Sequence, residues 1–207
     1  MRIEKIEEEK LPQLKNHSHF SQPVFEWTRT VLFAVIVMII VLTFFFRLVC
    51  ISGPSMENTL KDGERVILTN FMYTPKDGDI VAIAHGGKLG ITIIKRVIAT
   101  QGEKLSIDYN KNEVTVDGVI INEPYVNGTT TNAANWKVPY VIPKGYCFVM
   151  GDNRNVSKDS RSDQVGLIPL SDIIGRAQFI VFPLNRFGPI NNNTGESNYS
   201  GNTASTY

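Results

Sequence analysis

An uninterrupted apolar segment near the N-terminus is the feature that most constrains how this chain can fold. Residues 31–46 read VLFAVIVMIIVLTFFF, sixteen residues whose only polar member is Thr43. A helix of that length reaches about 24 Å, which is short of the roughly 30 Å of a bilayer's hydrocarbon core. Continuing to Ile51 gives 21 residues and about 31 Å, with the Arg47 guanidinium reaching towards the interface. We therefore predict a transmembrane anchor over residues 27–51.

Three other interpretations of this segment fit the sequence less well. A cleaved secretory signal has a short basic leader and a small-x-small cleavage site, whereas thirty residues precede this run and residues 48–51 offer no small pair. A lipid-modified Cys50 would need a small residue before it, and Val49 is not small. A buried helix of a soluble core would carry polar residues on one face. Lys and Arg on the two flanks do not decide which side of the membrane each flank occupies.

From Ser52 onward the pattern changes to short β-rich runs separated by turn residues such as Asp117-Gly118. With no long amphipathic helix, this pattern predicts a mainly β fold, an antiparallel domain over residues 52–190. Residues 1–26 read as a polar tail, and residues 191–207, rich in Asn, Ser, Thr and Gly, are expected to be disordered. The predicted strands are 64–69, 79–84, 90–99, 104–109, 113–121, 137–142, 146–150 and 173–182.

Composition removes several classes of function. The chain has 21 Lys plus Arg against 20 Asp plus Glu, and this balance argues against a nucleic-acid partner. Two cysteines 97 positions apart exclude a Cys-rich zinc site or a disulfide scaffold. The predicted domain holds one histidine, His85, so metal catalysis and a Ser-His-Asp triad have few residues to work with unless His85 is the base. We expect no cofactor and no metal, and a nucleophile here would need another base.

Lys95 is the candidate for that base, because it stands in a strand dominated by Ile93, Ile94, Val97 and Ile98. A lysine in water has a pKa near 10.4 and is protonated at neutral pH. Apolar burial disfavours the charged form and can lower the pKa of a lysine towards about 7 to 8. A neutral lysine beside a serine hydroxyl is a competent general base, and Ser-Lys pairs are a known variant of the triad.

Four ordered motifs connect this lysine to a serine. Residues 52–56 read Ser-Gly-Pro-Ser-Met with Thr-Leu at 59–60, and residues 78–81 read Gly-Asp-Ile-Val. Residues 95–98 read Lys-Arg-Val-Ile, and residues 151–154 read Gly-Asp-Asn-Arg, followed by Ser157, Asp159, Ser160 and Arg161. In this order the motifs resemble those of the bacterial type I signal peptidases, membrane-anchored serine proteases with a serine and lysine dyad. The resemblance runs from the anchor to about Pro183.

The resemblance implies a role for each matching residue. Ser55 would be the nucleophile, with its backbone N–H as one oxyanion donor, and Lys95 the general base. Ser157 would hydrogen-bond the Lys95 amine, while Asp159 and Arg161 would form a supporting ion pair. Some members have a serine where Gly53 stands here, so the second oxyanion donor is unassigned.

The resemblance also implies a substrate and a location. Met56, Leu60 and Ile94 would line shallow pockets for the small-x-small end of a signal peptide, which would bind extended near Lys95. The enzyme would be a monomer, anchored in the bacterial cell membrane, with residues 1–26 cytoplasmic and the β domain on the extracytoplasmic side. Signal peptides of exported preproteins and the lipid bilayer would be its partners. A specialised relative processing one pilus or conjugation substrate and a catalytically inactive peptide-binding homologue remain alternatives.

Overall fold

The apolar segment forms one long helix in the computed structural model, which describes residues 21–130 and 140–190, with side chains described from residue 24 onward. The chain divides between Thr43 and Phe44 into two units. Helix α1 runs over Ser21–Phe45. Its part Val24–Phe45 has 22 residues and a mean hydropathy of 2.4. At 1.5 Å per residue that part is about 33 Å long, so by length and composition it can cross a bilayer.

The helix ends earlier than the sequence analysis predicted. A continuous helix through Ile51 is wrong, because Phe46–Cys50 forms strand β1. This strand pairs in antiparallel fashion with Arg65–Thr69. The side chains of Val49 and Ile51 pack into a core cluster of the second unit, and this burial favours an extended strand over a further turn of helix. Hydropathy alone cannot distinguish an apolar strand from an apolar helix end. The helix instead begins at Ser21, before the predicted anchor.

Eight strands form the main antiparallel sheet, in the order β1, β2, β11, β3, β4, β9, β10, with β12 pairing with β11. Besides β1, their bounds are β2 Arg65–Thr69, β3 Ile80–Ile83, β4 Ile93–Ala99, β9 Tyr146–Met150, β10 Ile168–Pro169, β11 Ile173–Phe182 and β12 Gly188–Pro189. Short 3₁₀ turns lie at Gly87–Leu89, Leu170–Asp172 and Leu184–Arg186.

A second antiparallel sheet has four strands in the order β7, β6, β5, β8. Their bounds are β5 Lys104–Asp108, β6 Glu113–Val116, β7 Val119–Ile120 and β8 Tyr140–Val141. The predicted strand 113–121 is two strands, because Asp117 and Gly118 both take positive φ and turn the chain between β6 and β7. Leu105 and Val116 of this sheet share a buried cluster with Phe148 of β9.

The mainly β antiparallel fold is confirmed, and the predicted strands 146–150 and 173–182 match β9 and β11 in both bounds. The strands missed were β1 and the two-residue strands β10 and β12, whose composition gives no periodic signal. The last six residues of the predicted polar tail 1–26 belong to helix α1. The rest of that tail, the start of the predicted strand 137–142 and the predicted disorder of 191–207 lie outside the described residues.

Strand β4 positions the candidate site, since it lies inside the main sheet. Val81 of β3 is paired with Lys95, and Met150 of β9 is paired with Arg96. The pairing with β9 runs from Arg96 to Ala99. On that side the first residues of β4, Ile93 to Lys95, have no strand partner among the described residues.

Candidate active site

Ser55 lies on a closed loop that joins β1 to β2, here called the serine loop, residues 52–63. The base of the loop is fixed because the Ile51 N–H donates to the Glu64 carbonyl at 2.7 Å and the Gly63 N–H donates to the Ile51 carbonyl at 3.0 Å. Within the loop, the Leu60 N–H donates to the Met56 carbonyl at 2.8 Å, which forms a helical turn just after Ser55. The sequence therefore presents Ser55 at the start of a turn whose ends are tied together.

Lys95 reaches this turn from β4. Its Nζ lies 2.7 Å from the Ser55 Oγ and 2.9 Å from the Ile94 carbonyl oxygen. Lys95 is only 3% exposed, and within residues 21–130 and 140–190 it forms no ion pair. The two residues that the sequence singled out, forty positions apart, are thus in hydrogen-bond contact, with the lysine buried and the serine half-buried.

Burial lowers the pKa of Lys95 to about 8, because desolvation disfavours the ammonium. The negative charges of Asp159 and Asp152 oppose this shift and raise the pKa. Desolvation exceeds their combined effect. A substantial fraction of Lys95 is therefore neutral near pH 8, and a neutral amine can accept a proton from Ser55.

Ser157 lies beside the pair but does not make the predicted contact. Its Oγ is buried and has no hydrogen-bond partner in the part of the chain that the structure describes, so the predicted bond to Lys95 is not observed. The Lys95 amine donates to the Ile94 carbonyl instead.

Gly151 marks the close approach of two loops. A Cβ on Gly151 would lie 2.2 Å from the Ser157 Oγ and 2.5 Å from the Ser55 carbonyl oxygen. Only glycine at 151 therefore lets the loop carrying Ser157 pack against the serine loop.

Asp159 and Arg161 form the predicted ion pair, with 2.8 Å between Nη2 and Oδ2. Both residues are almost fully buried. The Asp159 carboxylate also accepts from the Gly151 N–H at 2.9 Å, and the Arg161 guanidinium donates to the Arg154 carbonyl at 3.0 Å. The pair thus holds the 151–161 loop against itself, behind Ser157.

A second buried ion pair, which the sequence analysis did not assign, joins three elements of the site. The Arg96 guanidinium binds the Asp152 carboxylate through two hydrogen bonds, at 2.8 Å and 2.6 Å. Thr59 of the serine loop donates its hydroxyl to the same carboxylate. The ring of Tyr125 lies 3.7 Å from the guanidinium carbon of Arg96. The strand of Lys95, the serine loop and the 151–161 loop therefore meet at Asp152.

Glu123, two positions before Tyr125, is a further member of this network that was not predicted from the sequence. Glu123 accepts from the Arg154 guanidinium in a buried ion pair and from the Tyr125 hydroxyl at 2.8 Å. Segment 123–130 belongs to none of the four motifs, and no spacing rule links it to Arg154. A charged residue within a polar segment gives no signal of burial, so only the three-dimensional structure reveals this contact.

Met56, Leu60 and Ile94, expected to line substrate pockets, share one hydrophobic cluster. Met56 is 1% exposed and Leu60 is fully buried, and Ile94 packs against the same cluster while half-buried.

Two backbone N–H groups of the serine loop bear on the oxyanion donors. The Gly53 N–H donates to the Asp62 carboxylate at 2.7 Å. The Ser55 N–H has no acceptor among the described residues and remains a candidate oxyanion donor.

Comparison with known proteins assigns the chain to a family. The family model described as signal peptidase, peptidase S26, matches residues 24–182. Signal peptidase I of Bacillus licheniformis is 33% identical over 172 residues, covering 78% of this chain and 90% of that protein. Signal peptidase I T of Bacillus subtilis (strain 168) is 35% identical over 170 residues, covering 77% of this chain and 86% of that protein.

A solved structure also matches part of the chain. The crystal structure of a signal peptidase I from Enterococcus faecalis V583 is 25% identical, with a TM-score of 0.43, and covers 50% of this chain and 97% of that one. The family match spans more than half of the sequence. The chain therefore belongs to the signal peptidase family, peptidase S26, and is a peptidase.

Proposed function

We propose that this protein is a membrane-anchored serine endopeptidase that removes signal peptides from exported preproteins, with Ser55 as nucleophile and Lys95 as general base. The observation that carries the proposal is the 2.7 Å contact between the Nζ of the buried Lys95 and the Oγ of the half-buried Ser55. A hydroxyl and an amine at this distance can exchange a proton directly, and family membership supplies the substrate class.

The proposed reaction proceeds through an acyl-enzyme. Neutral Lys95 takes the Ser55 proton as Oγ attacks the scissile carbonyl carbon, and the resulting oxyanion accepts a hydrogen bond from the Ser55 N–H. The Lys95 ammonium then gives its proton to the leaving amine as the C–N bond breaks. Water next attacks the ester with Lys95 again as base, and the proton returns to the Ser55 Oγ.

The substrate would bind as an extended strand beside the start of β4. Ile93, Ile94 and Lys95 present backbone groups on the side that β9 does not reach, and a peptide could add to that edge. Met56, Leu60 and Ile94 would bound the pockets for the two small residues of an Ala-x-Ala site. Because these side chains are well packed, larger substrate residues would be rejected by overlap rather than by charge.

Helix α1 would anchor the enzyme in the cell membrane. In this arrangement residues 1–20 lie on the cytoplasmic side and the β domain on the extracytoplasmic side, where translocated preproteins are cut. Ser55 follows the last helical residue, Phe45, by ten positions. The tether is thus short, and a signal peptide held in the same bilayer would present its cleavage site near the serine loop. We propose a monomer without metal or organic cofactor.

The test is cleavage of a preprotein bearing an Ala-x-Ala site by the detergent-solubilised full chain, followed by N-terminal sequencing of the product. We expect a new N-terminus directly after the second Ala for the wild type, and none for Ser55→Ala. Cleavage at another site would contradict the proposed specificity. Equal cleavage by Ser55→Ala would contradict the assignment of Ser55 as the nucleophile.

A further inference from the structure

The serine loop has a partner that lies outside all four motifs. Arg186 ends the 3₁₀ turn Leu184–Arg186, beyond residue 182, where the family match stops. Its Nη2 donates to the Thr59 carbonyl at 3.0 Å, and its Nη1 lies 3.1 Å from a Glu64 carboxylate oxygen. One guanidinium therefore joins the helical turn after Ser55 to the residue that closes the loop.

We propose that Arg186 is a positioning residue for Ser55, acting as a clamp between Thr59 and Glu64. The proposal rests on the proposed function, because it assigns Arg186 to the geometry of the same Ser55–Lys95 pair. It adds a residue from the C-terminal end of the β domain to a site otherwise built from the serine loop, β4 and the 151–161 loop.

Glu64 is a suitable base for this clamp. It is 2% exposed, its carboxylate accepts from the Lys61 N–H at 3.0 Å, and its carbonyl accepts from the Ile51 N–H at the foot of the loop. A buried carboxylate needs a compensating cation, and Arg186 is its ion-pair partner within the described ranges. The clamp is therefore fixed at one end to the residue that closes the serine loop through its bond to Ile51.

The other end of the clamp lies at Thr59, which is held from two directions. Its hydroxyl donates to Asp152 on the inner side, and its carbonyl accepts from Arg186. The planar guanidinium can serve a carbonyl and a carboxylate at once, whereas an ammonium is a single point charge. Without Arg186 the Thr59 carbonyl would lose its partner. The turn would then be held to the 151–161 loop by the Thr59 hydroxyl on Asp152 and by the Ser55 carbonyl, which accepts from the Asn153 N–H at 3.1 Å, and the Ser55 Oγ could drift from the Lys95 Nζ.

Unlike the arginines of the buried ion pairs, Arg186 can be replaced without removing a fully buried side chain. Its side chain is 29% exposed, so water can replace part of what its loss leaves unpaired, and we expect a neutral variant to fold. The charges that act on Lys95 are those of Asp159 and Asp152, so loss of Arg186 should change the position of Ser55 without changing the titration of the base. A misplacement of about 1 Å can cost up to about 100-fold in rate.

The experiment compares Arg186→Gln, Arg186→Lys and a control, Arg65→Gln, in the detergent-solubilised full chain. Arg65 is an exposed arginine next to Glu64 and stacks on the Phe182 ring. Steady-state kinetics use a preprotein with an Ala-x-Ala site, and hydrogen exchange by mass spectrometry follows the peptide covering residues 52–63. Each variant is also assayed across pH 6 to 10.

We expect Arg186→Gln to lower kcat about 10- to 100-fold with KM within about twofold, the pH midpoint unchanged, and faster exchange across residues 52–63. Arg186→Lys should recover part of kcat, and Arg65→Gln should match the wild type in every readout. Combining Arg186→Gln with Glu64→Gln should add little to either single variant, because both break the same bridge.

Other outcomes overturn the clamp. Unchanged exchange in Arg186→Gln would show that Arg186 does not hold the loop. Faster exchange with wild-type kcat would show that the loop's order does not position Ser55, and a shifted pH midpoint would indicate an electrostatic role instead. If the wild type cleaves nothing, the proposed function fails, while hydrogen exchange still decides whether Arg186 restrains the loop.

Discussion

Two adjacent basic residues of β4, Lys95 and Arg96, are buried to nearly the same degree, yet only Arg96 has a charged partner within the ranges that the structure describes. Arg96 is fully buried against the Asp152 carboxylate and the face of Tyr125. Lys95 is 3% exposed and contacts a serine hydroxyl and a backbone carbonyl, both uncharged. A strand turns successive side chains to opposite faces, which allows neighbours in sequence to occupy such different surroundings.

The difference shows how one strand can hold a stabilising charged side chain and a reactive amine side by side. A carboxylate at ion-pair distance compensates the buried charge of Arg96. Without such a partner, desolvation dominates at Lys95 and lowers its pKa to about 8. The fold thereby carries a destabilising residue where the proposed chemistry needs a neutral base.

The largest effect is expected when Lys95 is replaced by arginine, the residue type of its neighbour Arg96. Lys95→Arg keeps a long cationic side chain but removes the ability to lose a proton. We expect turnover to fall on the order of 10⁴-fold, as when a catalytic base is lost. The measurement is kcat on the preprotein, with Lys88→Arg, an exposed lysine, as the control that should retain full activity. Residual turnover within tenfold of wild type would remove Lys95 as the base.

Replacing Lys95 by an apolar side chain of similar length should separate stability from activity. Because the folded pKa of Lys95 lies below its usual 10.5, its unfavourable contribution is absent above about pH 10.5, develops as pH falls from 10.5 to about 8 and is complete below about 8. Relative to wild type, Lys95→Met should therefore gain ~3 kcal/mol of stability at pH 6 compared with pH 10.5. Denaturant unfolding at the two pH values measures this, and equal differences at both would contradict burial as the cause.

The close approach of the 151–161 loop to the serine loop can be tested at its narrowest point. Gly151→Ala would place a Cβ against the Ser157 Oγ and the Ser55 carbonyl oxygen, so one loop must move. We expect a loss of about 100-fold in kcat. Gly188→Ala is the matched control, because a Cβ there meets no atom within 4 Å. Full activity in Gly151→Ala would show that this packing does not support the site.

The smallest expected effect belongs to Ser157. A neutral Lys95 amine has two N–H groups and one lone pair; the Ile94 carbonyl takes one N–H and the Ser55 hydroxyl the lone pair. The remaining N–H is free to bind the Ser157 Oγ, which has no partner within residues 21–130 and 140–190, during the reaction. Ser157→Ala should therefore lower kcat roughly tenfold, the equivalent of one hydrogen bond. Ser106→Ala, a half-buried serine of β5, should change nothing, and an unaltered rate in Ser157→Ala would deny Ser157 an orienting role.

The parts of the site that could be predicted from the sequence are those written in short motifs or in an obvious polarity conflict. A lysine among isoleucines indicates a perturbed amine, and the ordered motifs place Ser55 and the Asp159–Arg161 pair beside it. The contacts of Arg186 with Thr59, and of Glu123 with Arg154, join residues far apart in sequence and of ordinary exposed type. Nothing local distinguishes such residues from surface ones until the sheets bring them together.

The elements of the fold likewise include some that the sequence predicts and some that it does not. Strands β9 and β11 were predictable because turn residues border their apolar runs. The change from helix to strand at Phe46 was not, because residues on both sides are equally apolar and only pairing with β2 selects the extended form.

The central claim is that a neutral Lys95 activates Ser55, and the pH dependence of kcat/KM for the wild type tests it most directly, since it reports the base of the free enzyme. We expect a rate that rises with pH to a plateau, with a midpoint near 8. A rate that keeps rising beyond pH 10, or that does not depend on pH between 6 and 9, would contradict a buried lysine as the base.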